Sequence, residues 1–151
     1  MLRFSRAGVW WWRKPLVRED GEAVPPELAV LHREVGSNER GVWLNSRKAA
    51  SGVVALQAYE KDGKQRFRTR REPLPLFVAA QLEAIYTDAQ VAKGCPDLVI
   101  WRQDREELRL IEVKCPHWDE LTAEQERFIT AAAGRGVSTR VVEWEFVESA
   151  A

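Results

Sequence analysis

Two short apolar runs with charges gathered at their ends constrain this chain more than any other feature. The first, Asp97-Leu98-Val99-Ile100-Trp101, follows Gly94-Cys95-Pro96 and opens on an aspartate. The second, Leu110-Ile111-Glu112-Val113-Lys114, ends Glu-x-Lys, and a mostly polar stretch lies between the two. Such runs read as strands, over about 97–102 and 108–114, and a tight connection makes them neighbours. The start of one then lies beside the end of the other, which brings Asp97, Glu112 and Lys114 to one end of a sheet. Side chains alternate faces along a strand, so Glu112 and Lys114 point one way and Val113 the other. Pro96 cannot donate to a ladder and fits only a strand's first position. A carboxylate pair can hold a hard cation such as Mg²⁺, and a neighbouring lysine can orient a water or neutralise developing charge. Glu-x-Lys alone is an ordinary strand end. An aspartate in an apolar run is less ordinary, because Asp is depleted in strands and seldom buried unpaired.

The stretch Gly94–Trp101, then Leu110-Ile111-Glu112-Val113-Lys114-Cys115-Pro116, then Leu121-Thr122-Ala123-Glu124-Gln125 resembles the VRR-NUC branch of the PD-(D/E)XK nucleases. It is most similar to the nuclease module of the Fanconi-associated nucleases, and the resemblance covers about residues 74–147. It implies an α/β fold with a restriction-endonuclease-like core, a mixed central sheet flanked by helices. It also implies a nuclease that hydrolyses DNA phosphodiesters with Mg²⁺ or Mn²⁺, on flaps, forks or junctions in repair or processing. Asp97, Glu112 and the Val113 carbonyl would hold the metal, Lys114 would be catalytic, and Gln125 joins the candidates for DNA contact. The chain departs from the family in one place. Where relatives carry basic residues after the lysine, it has Asp119, Glu120 and Glu124.

At 151 residues the chain is expected to form one domain, with residues 1–73 as an N-terminal extension that completes the fold. The net charge is zero, yet its distribution is polar: 15 Lys/Arg against 8 Asp/Glu in residues 1–71, and 8 against 15 in residues 72–151. A basic half beside an acidic half suits a protein that grips phosphates on one side and cations on the other. Cys95 and Cys115 are the only cysteines, so no disulfide framework is expected and a reducing, cytoplasmic setting is the default. With His117 they imitate part of a zinc site, but the only other histidine is His32, far upstream. No apolar run is long enough for a membrane span, and DNA and a second copy of the chain are the candidate partners. Trp10-Trp11-Trp12 could stack on bases, but three adjacent rings cannot share one face, so packing on the core or an interface is the favoured reading.

Residues 16–26 read as a polar loop leading into a helix over about 26–35. Residues 53–60 and 64–70 read as a hairpin turning at Asp62-Gly63. Its second arm places Lys64, Arg66, Arg68 and Arg70 on one face. These are either a solvated edge that discourages aggregation or a track for a phosphate backbone. A helix over about 75–91 follows. Thr122 and Gln125 fit a capping box that starts another at Ala123, and residues 138–147 read as a last strand. The first helix of this fold often supplies a further acidic residue; Glu34 and Glu27 are the candidates ahead of Glu83. Two rival readings remain beside the nuclease: a binding or assembly module that has lost activity, and a delivered DNase toxin domain.

Overall fold

A computed structural model describes residues 1–11, 14–44, 51–116 and 119–147. Its elements run β1 (Leu2–Phe4), β2 (Arg6–Trp11), β3 (Lys14–Glu19), β4 (Glu22–Val24), α1 (Pro26–Glu34), β5 (Arg40–Trp43), β6 (Ser51–Lys61), β7 (Lys64–Pro73), α2 (Leu76–Ala89), β8 (Leu98–Arg102), β9 (Glu107–Lys114), α3 (Ala123–Gly134) and β10 (Thr139–Phe146). Seven strands form one mixed sheet in the order β1-β10-β9-β8-β5-β6-β7, and β2-β3-β4 form a small second sheet. The pairs β1/β10 and β10/β9 are parallel; the other ladders are antiparallel. This is the expected α/β architecture, with a mixed central sheet flanked by helices.

Alternation along the strands divides the core between two faces. Leu98, Ile100, Ile111 and Val113 pack with α1 and with Val17 and Val24 of the small sheet. Val99, Trp101 and Leu110 pack with Val78, Leu82 and Ile85 of α2 and Phe128 of α3. Because α1 lies between the two sheets, it is buried on successive residues, Leu28 through Leu31, rather than along one stripe. Pro26 opens it, where a missing N–H costs nothing, and His32 and Arg33 lie in its last turn against the negative helix end. The capping box at α3 is present in full.

The loop expected over 16–26 is instead the β3–β4 hairpin. Leu16 and Val17 are buried, and Asp20 and Gly21 both adopt positive φ, as a two-residue turn between twisted strands requires. Asp62 and Gly63 make the same turn between β6 and β7. Arg40–Trp43 carries no strand signal of its own, yet it is the strip that joins the β6–β7 hairpin to β8. Of the tryptophan run, Trp11 packs at the edge of the core with its ring edge-on to Trp43. The side chain of Trp10, and Trp12 altogether, lie outside the described residues.

Candidate active site

β8 and β9 pair with Leu98 opposite Ile111, so Asp97, just before β8, comes level with the end of β9. Two hydrogen bonds fix it there. The Val113 N–H donates to Asp97 Oδ2 at 2.9 Å, and the Leu44 N–H donates to the Asp97 carbonyl at 2.8 Å. Gly94 allows the approach to this position. Its φ is +119°, and a Cβ there would lie 2.6 Å from the Glu124 carbonyl oxygen, a contact only glycine escapes. The segment before Asp97 therefore runs directly beneath the first turn of α3.

Glu112 is 1% exposed, the only charged residue in the buried core among the described residues. Gln125 Nε2 donates to Glu112 Oε2 at 3.2 Å, and Lys114 Nζ lies 3.7 Å from Glu112 Oε1. Lys114 Nζ also donates to Gln125 Oε1 at 3.3 Å and to the Glu120 carbonyl at 3.2 Å. Gln125 thus closes the capping box with Thr122 and holds both motif side chains at once. Burial, aided by hydrogen bonding and like charge from Asp97, pushes the Glu112 carboxyl up to about 9, against the pull of Lys114. Two carboxylates this close do not both ionise readily without an added cation. Burial first, then the charges of Asp97 and Glu112, also push the Cys95 thiol far up, which disfavours its thiolate form.

The two candidate glutamates of α1 part company. Seven residues are about 10 Å of helix, and α1 runs along the sheet from the Asp97 end toward the other. Glu27, in the first turn, is close enough to Asp97 to feel its charge. Glu34, in the last turn, is paired with Arg140 and lies 3.6 Å from Arg109, so it stands apart from Asp97. Sequence spacing put the two glutamates on one flank; helix length separates them.

Lys14 carried no motif, yet it reaches the site. Its Nζ donates to Glu27 Oε1 at 2.9 Å. Burial tends to lower its pKa, but Glu27, Asp97 and Asp119 together raise it. Burial raises the Glu27 carboxyl, Lys14 opposes, and Asp97 raises it further. The other oxygen, Glu27 Oε2, is buried without a hydrogen-bond partner.

The basic arm lies elsewhere. Trp43 of β5 faces Leu98 on one side and Val53 on the other, so Val53 marks the Asp97 end of β6. From there β6 runs away from that end, and Lys61 lies eight residues on, about 25 Å at strand spacing. β5 has only four residues, so the outer part of the β6–β7 hairpin reaches past it as a two-stranded ribbon. Lys64, Arg66, Arg68 and Arg70 are all exposed. The first three lie on this ribbon, with Arg68 stacked 4.3 Å over the Tyr59 ring, whereas Arg70, opposite Ala55, is alongside β5 and nearer the Asp97 end. Cys95 and Cys115 are free thiols, and His32 is bound to Glu19 and the Val54 carbonyl rather than to a cysteine. His117 lies outside the described residues.

A family model for the VRR-NUC domain matches residues 43–144. The chain belongs to the VRR-NUC family. The match takes in the β6–β7 ribbon as well as both motif strands and α3. Among solved structures, the chain is similar to the crystal structure of paFAN1 bound to 2-nt 5′ flap DNA with a gap, at 24% identity and a TM-score of 0.37. That alignment covers 48% of this chain and only 14% of the paFAN1 chain. No curated protein matches. VRR-NUC membership makes this a nuclease-type domain, and no described helix is long and apolar enough to cross a membrane.

Proposed function

We infer that the chain is a divalent-metal-dependent DNA nuclease whose reaction centre is Asp97, Glu112 and Lys114. One observation carries the reading: a carboxylate pair at a sheet end, with a lysine and a glutamine already hydrogen-bonded into it. The donor set fits a hard cation. Every side-chain donor is a carboxylate oxygen, Glu112 is reluctant to ionise beside Asp97, and Glu27 Oε2 is buried with nothing bound to it. Among the described residues no three such groups yet converge, because Glu27 is turned to Lys14. Asp97, Glu112 and the Val113 carbonyl would hold Mg²⁺ or Mn²⁺, and Glu27, which feels the Asp97 charge, is the candidate to join them. A bound cation supplies activation of a water and polarisation of the phosphate.

The remaining work falls to the protein. The Val113 N–H aims Asp97 Oδ1 away from the backbone by engaging Oδ2. Lys114, held by Gln125 and the Glu120 carbonyl, presents an ammonium that stabilises charge on the transferring phosphate. Gln125 acts on the site by orienting Glu112 and Lys114, and the exposed cations of the ribbon track a phosphate backbone at a distance from the cut. The deciding experiment is cleavage of a panel of duplex, single-stranded, flap, fork and junction DNAs with Mg²⁺, Mn²⁺ or EDTA. Metal-dependent cutting that disappears in Asp97→Asn is the expected result. A folded protein that binds these DNAs and cuts none of them would return the binding-module reading.

A further inference from the structure

The site holds a second lysine that the motif does not account for. Lys14 is the first residue of β3, and its ammonium sits 5.6 Å above the Trp43 ring. Trp43 is itself fixed beside the catalytic aspartate, since it pairs with Leu98. The indole also packs edge-on to the Trp11 ring, centroids 5.8 Å apart. This shelf sets Lys14 facing Glu27, where the charges of Asp97 and Asp119 also reach it. The two lysines differ in access: the Lys114 side chain is 13% exposed and Lys14 is 45% exposed. Lys114 is walled in by Gln125 and Glu120, whereas Lys14 stands open to an incoming strand.

Charge balance gives the difference a use. Counting Asp97, Glu112 and Glu27 in the ionised forms that a cation would require, against two protonated lysines, the side chains of the centre sum to one net negative charge, which opposes a phosphodiester. One divalent cation turns that into one net positive charge. The carboxylate best placed to accept part of it is Glu27, whose Oε2 is buried and unbonded while Oε1 is held by Lys14. If Glu27 becomes a ligand, Lys14 loses its partner and keeps its charge.

Resting on the nuclease reading above, we propose that Lys14 is a second cationic residue of the reaction centre. It pairs with Glu27 before metal arrives, and it contacts the substrate phosphate once Glu27 has turned to the metal. Two properties follow. Lys14 competes with divalent metal in the free protein, and it favours turnover in the loaded one.

The test is a Mn²⁺ titration of the DNA-free protein, followed by electron paramagnetic resonance, together with cleavage kinetics at saturating Mn²⁺. Lys14→Gln is expected to bind Mn²⁺ several-fold more tightly than wild type, Glu27→Gln more weakly. The same Lys14→Gln should lower kcat by about a hundredfold, the scale for losing one charge-stabilising donor. An affinity that is unchanged or weaker, or an unchanged kcat, overturns the proposal. Lys14→Gln strands a buried carboxylate and could fail to fold, so Lys14→Gln/Glu27→Gln is compared with Glu27→Gln alone. A residue that merely supports Glu27 adds no further loss of kcat in that background; a phosphate contact adds the same factor again. Asp97→Asn and Glu112→Gln are run beside these. If both keep wild-type Mn²⁺ affinity, the metal-site reading itself fails. If they lose it while Lys14→Gln behaves as wild type, only the assignment of Lys14 falls.

Discussion

Toward the end of the sheet where β8 finishes, Arg109 donates to Glu39 at 2.9 Å and to the Glu34 carbonyl at 2.8 Å, and Arg140 pairs with Glu34. At the opposite end Asp97, Glu112 and Lys114 meet, and the Lys14–Glu27 pair lies close enough to feel the Asp97 charge. Both clusters draw a glutamate from α1 and cations from the surrounding strands. In the first, guanidinium forks meet the carboxylates and both Glu39 oxygens are bonded, a closed arrangement that ties α1 and the loop after it to the sheet. In the second, two carboxylates press together, one glutamate oxygen is unbonded, and compact ammoniums stand where forks could have closed the set. Residue type alone does not distinguish the two clusters; whether the groups satisfy one another does.

The sharpest way to break this contrast is to remove one carboxylate from each end. Asp97→Asn and Glu112→Gln should each lower cleavage by about a thousandfold or more, since each would delete one of the proposed cation ligands. Glu34→Gln should leave turnover near wild type. A Glu34→Gln enzyme as inactive as Asp97→Asn would mean that the two ends are not functionally distinct.

Arg109→Ala is the reciprocal experiment. It leaves Glu39 without its main partner and the Glu34 carbonyl without its guanidinium donor in a half-buried setting, while Glu34 keeps Arg140, and should cost about 1–2 kcal/mol in chemical denaturation. Turnover of the protein that remains folded should be unaffected. A stability unchanged by Arg109→Ala would show the network to be ornamental.

Stability against pH sharpens the comparison further. The folded Glu112 pKa of about 9 lies above its ordinary value of 4.5. The folded protein therefore holds that proton more tightly than the unfolded chain. The associated stability is full below about 4.5 and is lost as the pH rises through that range toward 9. In EDTA, thermal unfolding of wild type relative to Glu112→Gln should fall steadily from pH 5 to pH 9, and divalent metal should restore the loss at the alkaline end. Parallel curves for the two proteins would remove strain at Glu112 from the account.

The smallest effect is expected at the ribbon. Arg66→Gln/Arg68→Gln should weaken DNA binding in Ca²⁺ at all sequences alike. The slope of log affinity against log salt should flatten by about 0.7–0.9 for each phosphate that is no longer neutralised. Cutting at saturating protein should survive, because these residues lie far along β6–β7 from Asp97. An unchanged slope would leave the arm as a solvated edge.

Much of the fold could be read directly where local chemistry carries it. The Asp62-Gly63 turn, the capping box at Thr122 and Gln125, and the alternation through 98–101 and 110–113 each correspond to an observed element. The N-terminal sheet was harder to read, although Asp20-Gly21 is the same turn dipeptide as Asp62-Gly63. Its strands are short, and in β3 the neighbours Leu16 and Val17 are both buried, so no period-2 alternation marks it in the sequence. The Asp97, Glu112 and Lys114 grouping was legible because two adjacent strands deliver it. Lys14 was not, since its approach to Glu27 depends on how a separate hairpin lies against α1. Glu27 and Glu34 could not be separated by spacing, because only the direction of α1 across the sheet distinguishes them.

The parallel pairing of β1 with β10, Leu2 beside Trp144, governs how this molecule comes together in time. The ladder closes a loop of nearly the whole chain, the kind of pairing that slows folding most. The hairpin bearing Lys14 follows directly from that strand and packs with it. Strands β8 and β9, joined by a short turn, and the Lys14–Glu27 pair, thirteen residues apart, can both form early, whereas the β1/β10 ladder closes late. Partly folded chains are thus expected to hold the two halves of the centre separately before the outermost parallel strands fix the N-terminal hairpin against the sheet.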